Sequence, residues 1–286
     1  MNLTKHQNRM KKIAILLILI TASVPYVFAG FPVGKGRFML VPSYNLYTAK
    51  GYWDQSRIYK PFDNNGRFVS HYFSLYGGYG ISRNLNLMFN IPVTSQTFSQ
   101  TGKVGTNFGL GDLTVGLSTF LTDFDKENHV SLTGSLILPM YQNPTSADLP
   151  FLGFQSPGLE LKMGIAGSTT KYFRNPYYDI EGGVRTYLNQ GGPTQLFINI
   201  TGGVPIADDW KISGTFSGVS SSSSNVTNVS TGQLFANGDF DYLRLTGNVG
   251  HIINDKVSVW FGIFTDISGR NTGRGSGLSL SAVLKL

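Results

Sequence analysis

From Leu85 to Val93 every odd position is large and apolar: Leu85, Leu87, Phe89, Ile91, Val93. The even positions read Asn86, Met88, Asn90, Pro92 and Thr94. A period of two is the signature of a strand with one apolar and one wetter face. The pattern recurs about a dozen times along the chain. At its end Leu278, Leu280, Ala282, Leu284 and Leu286 alternate with Ser279, Ser281, Val283 and Lys285. Apolar strand faces repeated on this scale point toward lipid, and a sheet in hydrocarbon must close on itself to leave no backbone edge unpaired. The expected fold is all-β: an antiparallel transmembrane β-barrel of about twelve strands.

The first residues fit targeting rather than fold. Lys5, Arg9, Lys11 and Lys12 precede the apolar run Ile13 to Ala22, then Pro25 and the small-residue site Val27-Phe28-Ala29. This reads as a secretory signal over 1–29, cleaved after Ala29. The run is roughly half the ~20 residues a spanning helix needs. Residues 30–286 then form one barrel domain.

Cleavage also changes the charge. The formal net charge of +7 loses four basic residues and no acidic ones, leaving 19 Lys and Arg against 16 Asp and Glu. The remaining basic residues are scattered, so no nucleic-acid partner is expected. The chain has no cysteine, which excludes a lipoprotein anchor, a disulfide scaffold and thiolate metal ligation. A charged fraction of 14%, with 35 Gly, 20 Phe and 14 Tyr, suits a lipid-facing sheet better than a soluble domain.

Strands are expected near 37–48, 67–79, 84–97, 109–121, 129–139, 158–169, 177–188, 195–206, 210–219, 240–251, 256–266 and 277–286. Links alternate in length. Short ones lie at 80–83, 122–128, 170–176, 207–209 and 252–255, longer ones at 49–66, 98–108, 140–157, 189–194, 220–239 and 267–276. Short turns belong to the periplasm and long loops to the exterior. An even strand count then puts both termini in the periplasm.

Parity assigns Phe73, Leu75, Leu87, Leu117, Leu136, Leu161, Met163, Ile180, Ile198, Ile200, Leu245 and Phe261, among others, to the lipid face. Aromatic residues near strand ends read as interfacial girdles: Tyr44, Tyr47, Tyr52, Trp53, Tyr172, Phe173, Tyr177, Tyr178, Trp210, Phe240 and Tyr242. The opposite parity gives the lumen. There Glu160, Lys162, Asp179, Glu181 and Arg185 bring opposite charges onto neighbouring strands, where cross-strand pairing is expected. Asp112 and Arg244, with Lys211, Lys285 and Arg37, add further charge. Hydroxyls, amides and rings fill the remaining inward positions. Such a lumen fits either a narrow path that sorts solutes or a packed interior whose charges only brace the wall.

Catalytic signals are sparse. His71 points outward, and its partner on the next strand is Val93 or Ser95, depending on register. An outward Ser and His at the membrane surface is a lipid-hydrolase arrangement, but no third orienting group is evident. Asp123-Phe124-Asp125-Lys126-Glu127 spaces its carboxylates like calcium ligands yet lacks the glycine and length of a calcium loop. It reads as a solvated turn. The two Asn-x-Ser/Thr matches at Asn225 and Asn228 are accidental in a bacterial barrel. No cofactor is expected and no enzymatic activity.

Gly109-Leu110-Gly111-Asp112-Leu113-Thr114-Val115-Gly116-Leu117 resembles the outer-membrane family named for the MetA pathway of phenol degradation. Phe31-Pro32-Val33-Gly34-Lys35-Gly36 and Tyr79-Gly80-Ile81-Ser82-Arg83-Asn84-Leu85 fit the same pattern. The resemblance implies an outer-membrane channel that passes small solutes, including aromatic or apolar compounds, and it carries no catalytic residues. The chain departs from many barrels in ending on Leu286 rather than an aromatic residue. The expected function is passive solute passage across the outer membrane, with outer-membrane lipid, lipopolysaccharide and a small-molecule solute as partners. The alternative is a structural or adhesive barrel with a plugged lumen, acting through the loops at 49–66 and 220–239.

Overall fold

The computed structural model describes residues 33–286 apart from 124–127, 147–148, 169–174, 225–228, 230–233 and 235–236. The signal segment, Tyr172, Phe173, the carboxylates at 125 and 127, and the Asn225 and Asn228 acceptors lie outside the described residues.

Among the described residues there are fourteen strands, paired antiparallel throughout: β1 (Phe38–Trp53), β2 (Tyr59–Pro61), β3 (Arg67–Gly80), β4 (Leu85–Gln100), β5 (Lys103–Leu110), β6 (Asp112–Asp123), β7 (Asn128–Pro139), β8 (Gly158–Ser168), β9 (Tyr177–Tyr187), β10 (Thr194–Pro205), β11 (Trp210–Ser222), β12 (Phe240–Asn254), β13 (Val257–Arg270) and β14 (Thr272–Lys285). β14 pairs with β1, so the sheet closes. The seam is finished by Phe38 and Leu286, each donating its N–H to the other's carbonyl at 2.9 and 2.8 Å. β2 is a short flap on β1, and β5 and β6 are two parts of one wall strand. The described wall therefore has twelve strands, as the alternation predicts.

The break between β5 and β6 falls inside the glycine-rich Gly109–Leu117 segment. Val93 faces Leu110, whereas Asn90 faces Thr114. Two residues of β4 thus oppose three across the gap, a β-bulge. Pro92, which lacks an N–H, sits at this gap, and its carbonyl accepts from the Gly111 N–H at 2.9 Å. A Cβ on Gly111 would lie 3.0 Å from Pro92 Cγ.

The outward parity is as expected. Phe73, Leu117, Leu136, Leu161, Met163 and Phe261 are all exposed large apolar residues, a pattern that in water would be an aggregation liability and in a bilayer is the lipid face. Several expected loops are strand instead. β4 and β5 continue the ladder through 98–108 and turn at Gly102 (φ +79°). β13 and β14 run through 267–276 and turn at Asn271 (φ +50°). These stretches are made mostly of Ser, Thr, Gly, Asn, Gln and basic residues, so their pairing carried little apolar alternation.

Five girdle assignments are corrected. Tyr52 turns inward and stacks on the buried Phe62 at 5.7 Å. Tyr47, Phe240 and Tyr242 line the interior. Tyr177 is only 2% exposed, and a Cβ on Gly203 of the neighbouring strand would strike its ring. Each sits near a strand end, which suggested a girdle, but parity turns it inward. Trp210 is exposed as expected, with its ring 4.6 Å from that of His251. Tyr44 also faces out, against Phe73.

Candidate functional site: a ring-lined cavity under the outer loops

A cavity of 610 Å³ occupies the half of the lumen nearer the long loops. On β4 its lining runs from Asn90 to Gln96, and on β12 from Phe240 to Thr246. The other half of the lumen is packed. Asn86, Ser118, Ser131, Thr133, Asp179, Glu181 and Lys211 all point inward and are buried, Asn86 and Lys211 to 1% and 2% exposure. The cavity therefore has a side-chain floor toward the periplasmic end.

The expected charge group divides between these levels. Glu160 and Arg185 face each other across β8 and β9, and the Arg185 Nε donates to Glu160 Oε2 at 2.9 Å. Arg185 lines the cavity and lies over the Phe197 ring at 5.4 Å. Lys162 pairs with Glu181 Oε1 at 2.8 Å. Asp179 lies a further pitch toward the periplasm, opposite Ala166 and Thr201. The group thus contains two direct ion pairs, with the Asp179 carboxylate one step deeper.

Arg244 stands on another wall. Its Nε donates to Asp266 Oδ1 at 2.7 Å, across a register shift between β12 and β13. Its guanidinium lies 4.5 Å from the Phe264 centroid and 5.4 Å from those of Tyr47 and Tyr242. Cation–π contacts of this kind hold a charge against rings without neutralising it. Asp266 was not among the expected lumen charges, although it lies two residues beyond the inward Phe264 and parity alone would have found it.

Asp112 is aimed into the cavity by the Gly111 bulge. Its carboxylate accepts a long hydrogen bond, 3.5 Å, from the Tyr187 hydroxyl, and the Tyr141 hydroxyl stands beside it across Gly153. Tyr141 belongs to the outer loop 140–157. Burial, then the Asp112 charge, pushes its phenol pKa up, so it remains a donor. This loop folds inward. Asn143 fastens it with three bonds: its N–H to Gln155 Oε1 (2.8 Å), its Nδ2 to the Gly153 carbonyl (2.7 Å), and its Oδ1 from the Leu152 N–H (3.0 Å). Leu152 and Phe154 thereby reach the cavity, and Phe154 sits edge-on to Tyr187 at 4.8 Å. Glycines make room: a Cβ at Gly153 would clash with the Tyr141 hydroxyl, and one at Gly109 would lie 3.0 Å from Leu152. Leu234, from the loop before β12, enters beside Gly273. No sequence signal marked these insertions, because a loop side chain has no parity.

Polar lining residues come from most of the wall strands, and those on β4 and β6 include acceptors without donors. Thr94 and Gln96 are 4% and 2% exposed, and their Oγ1 and Oε1 atoms have no hydrogen-bond partner, nor does Asp112 Oδ1. Buried acceptors without donors are costly unless something in the cavity supplies one.

The outward pair weighed for hydrolysis is brought into register: His71 is opposite Ser95. The His71 Nδ1 is instead bonded to the Tyr44 hydroxyl at 2.8 Å. Among the described residues neither a Ser95–His71 hydrogen bond nor a carboxylate behind His71 occurs.

No protein-family model and no curated protein sequence matches the chain. Solved structures do. An outer membrane channel from Pseudomonas putida F1 superposes with a TM-score of 0.71 at 13% identity, covering 92% of this chain and 100% of the channel. The NanC porin follows with a TM-score of 0.49 at 8% identity, over 87% of this chain and 100% of the porin. The CymD monoaromatic hydrocarbon channel gives 0.45 at 7% identity, over 91% and 94%. The first likeness identifies the fold as that of an outer-membrane β-barrel.

Proposed function

We propose that this barrel sits in the outer membrane and passes small solutes passively. The observation that carries the reading is the 610 Å³ cavity directly beneath the outer loops. Its size and mixed lining match the general form of a small-molecule site. The Gly109–Leu117 resemblance and the fold shared with the Pseudomonas putida channel support it.

The lining also suggests what enters. Arg185 and Arg244 are each already paired with a carboxylate, so neither presents a free charge to an ionic solute. Rings of Tyr47, Tyr72, Tyr242 and Phe264 line the cavity, interleaved with hydroxyl and amide side chains such as Asn90, Thr114 and Thr246. A small neutral molecule with a ring or apolar face suits this better than an ion. No enzymatic role is assigned, since His71 is held by Tyr44.

The packed floor favours a second reading, a closed barrel that acts through its surface. Single-channel recording on the refolded chain (residues 30–286) in a planar bilayer separates the two. Discrete conductance steps, together with swelling of vesicles in a small neutral solute, support the channel. Silence from a barrel that shows normal heat-modifiable mobility supports the closed form.

A further inference from the structure

At the outer rim the charges of neighbouring strands are mostly matched. Arg57 pairs with Asp241 at 2.7 Å and Lys60 with Asp54 at 2.8 Å, while Arg270 bonds Asp239 at 2.6 Å and Asp241 at 2.9 Å. Three cations are different. Lys50, Arg67 and Arg274 are exposed on adjacent strands β1, β3 and β14, and among the described residues no carboxylate pairs with any of them. Lys50 follows Ala49 and Arg67 precedes its partner Phe68 on the antiparallel strand, and Arg274 faces Gly51.

Arg274 is held in place. Its guanidinium lies 4.9 Å from the Tyr59 centroid and 5.8 Å from that of Trp53. Gly51 creates this seat: a Cβ there would come within 2.7 Å of the Tyr59 hydroxyl and 2.4 Å of the Lys60 carbonyl. Trp53 is covered to 7% exposure. Arg274 shares its parity with Leu278 and Leu280, and Arg67 shares its parity with Phe73, all of them exposed on the lipid face. Arg274 and Arg67 therefore face outward on the same side of the wall as the apolar belt, at its long-loop end, with the exposed Lys50 on the strand between them.

We infer that Lys50, Arg67 and Arg274 form a docking surface for the phosphorylated headgroup of lipopolysaccharide, its lipid A. The inference rests on the outer-membrane placement above and is independent of conduction. A guanidinium already fixed by two rings loses little freedom on binding and offers a planar fork that matches phosphate. Lys50 and Arg67 add charge beside it, and each cation near an anionic lipid surface strengthens binding by about five-fold.

The test is binding of lipid A to the refolded barrel in a non-ionic detergent, with bis-phosphorylated lipid A, dephosphorylated lipid A of the same acyl pattern, and inorganic phosphate as probes. The bis-phosphorylated form is expected to bind at least about ten-fold more tightly than the dephosphorylated one, and Arg274→Gln to weaken it about five-fold. Arg274→Lys should fall between, since it keeps the charge and loses the fork. Lys50→Gln with Arg67→Gln, both at exposed positions, serves as the second variant should Arg274→Gln fail to fold, and should weaken binding by about 25-fold, one five-fold step for each cation lost. Equal binding of the two lipid A forms overturns the proposal. So does unchanged affinity in a variant that keeps its heat-modifiable mobility. Inorganic phosphate displacing lipid A at equal concentration would reduce the surface to a simple anion site and overturn it as well. Conductance on the same preparation tells failure here from failure of the channel reading.

Discussion

Arg185 and Glu160 face each other across β8 and β9, and the guanidinium reaches Glu160 Oε2 through both Nε and Nη2. One carboxylate oxygen thus neutralises the cation that borders the cavity. Its neighbour pair, Lys162 and Glu181, does the same one level deeper.

Arg185→Glu is expected to leave two facing carboxylates and shift a conducting barrel toward cations. The reversal potential in a salt gradient reads this directly. Unchanged reversal potential would make the pair a brace of the wall. Removing one partner of a fully buried pair costs on the order of 3–5 kcal/mol. The Arg185 side chain is 35% exposed, so the stability loss here should be smaller.

Leu87 points to lipid, between Tyr79 on β3 and Leu117 on β6. Leu87→Arg should cost up to ~2–4 kcal/mol if the site is near midplane. The fraction that refolds into vesicles, scored by heat-modifiable mobility, should drop. Asn90→Leu, on the inward face, should refold better than Leu87→Asn. The reverse order would mean that the wall is turned inside out.

Asn143 holds the inward loop by three hydrogen bonds. Asn143→Ala keeps the backbone N–H bond to Gln155 but removes the two side-chain bonds, leaving the Gly153 carbonyl and the Leu152 N–H without partners, at up to roughly 1–3 kcal/mol for each if fully buried and less here, where both are part-buried. The loop should loosen from the cavity while the wall remains intact. Faster proteolysis within 140–157, with unchanged heat-modifiable mobility, is the expected result. If the barrel conducts, its conductance should rise.

Arg270 holds the Asp239 carboxyl below its ordinary pKa, chiefly by hydrogen bonding. A folded pKa below the unfolded value means that the contribution to stability is present above the unfolded value, about 3.9, and is lost as pH falls through the folded one. Rim order around Asp239 should therefore hold from neutral pH to about pH 4 and weaken below it. Amide exchange at the start of β12 should show this in the wild-type chain. Asp239→Asn should already be loosened at neutral pH and respond less to acid.

The wall was legible in the sequence because lipid imposes one rule on every strand. Alternation fixed which residues of β3, β4 and β8 face out, and it placed Glu160, Lys162, Asp179, Glu181, Arg185, Asp112 and Arg244 inside. It would have placed Tyr47, Tyr242 and Asp266 there too, had strand-end position not outweighed parity for the two tyrosines. Tertiary structure decided the rest. The pairing of Arg244 with Asp266 depends on a register shift, and the aim of Asp112 depends on one extra residue opposite Pro92. The inward fold of Leu152, Phe154 and Leu234 depends on hydrogen bonds and glycine gaps distant in the chain. A local period records the solvent on each side of a strand; it holds no record of which loop will fill the space the closed sheet encloses.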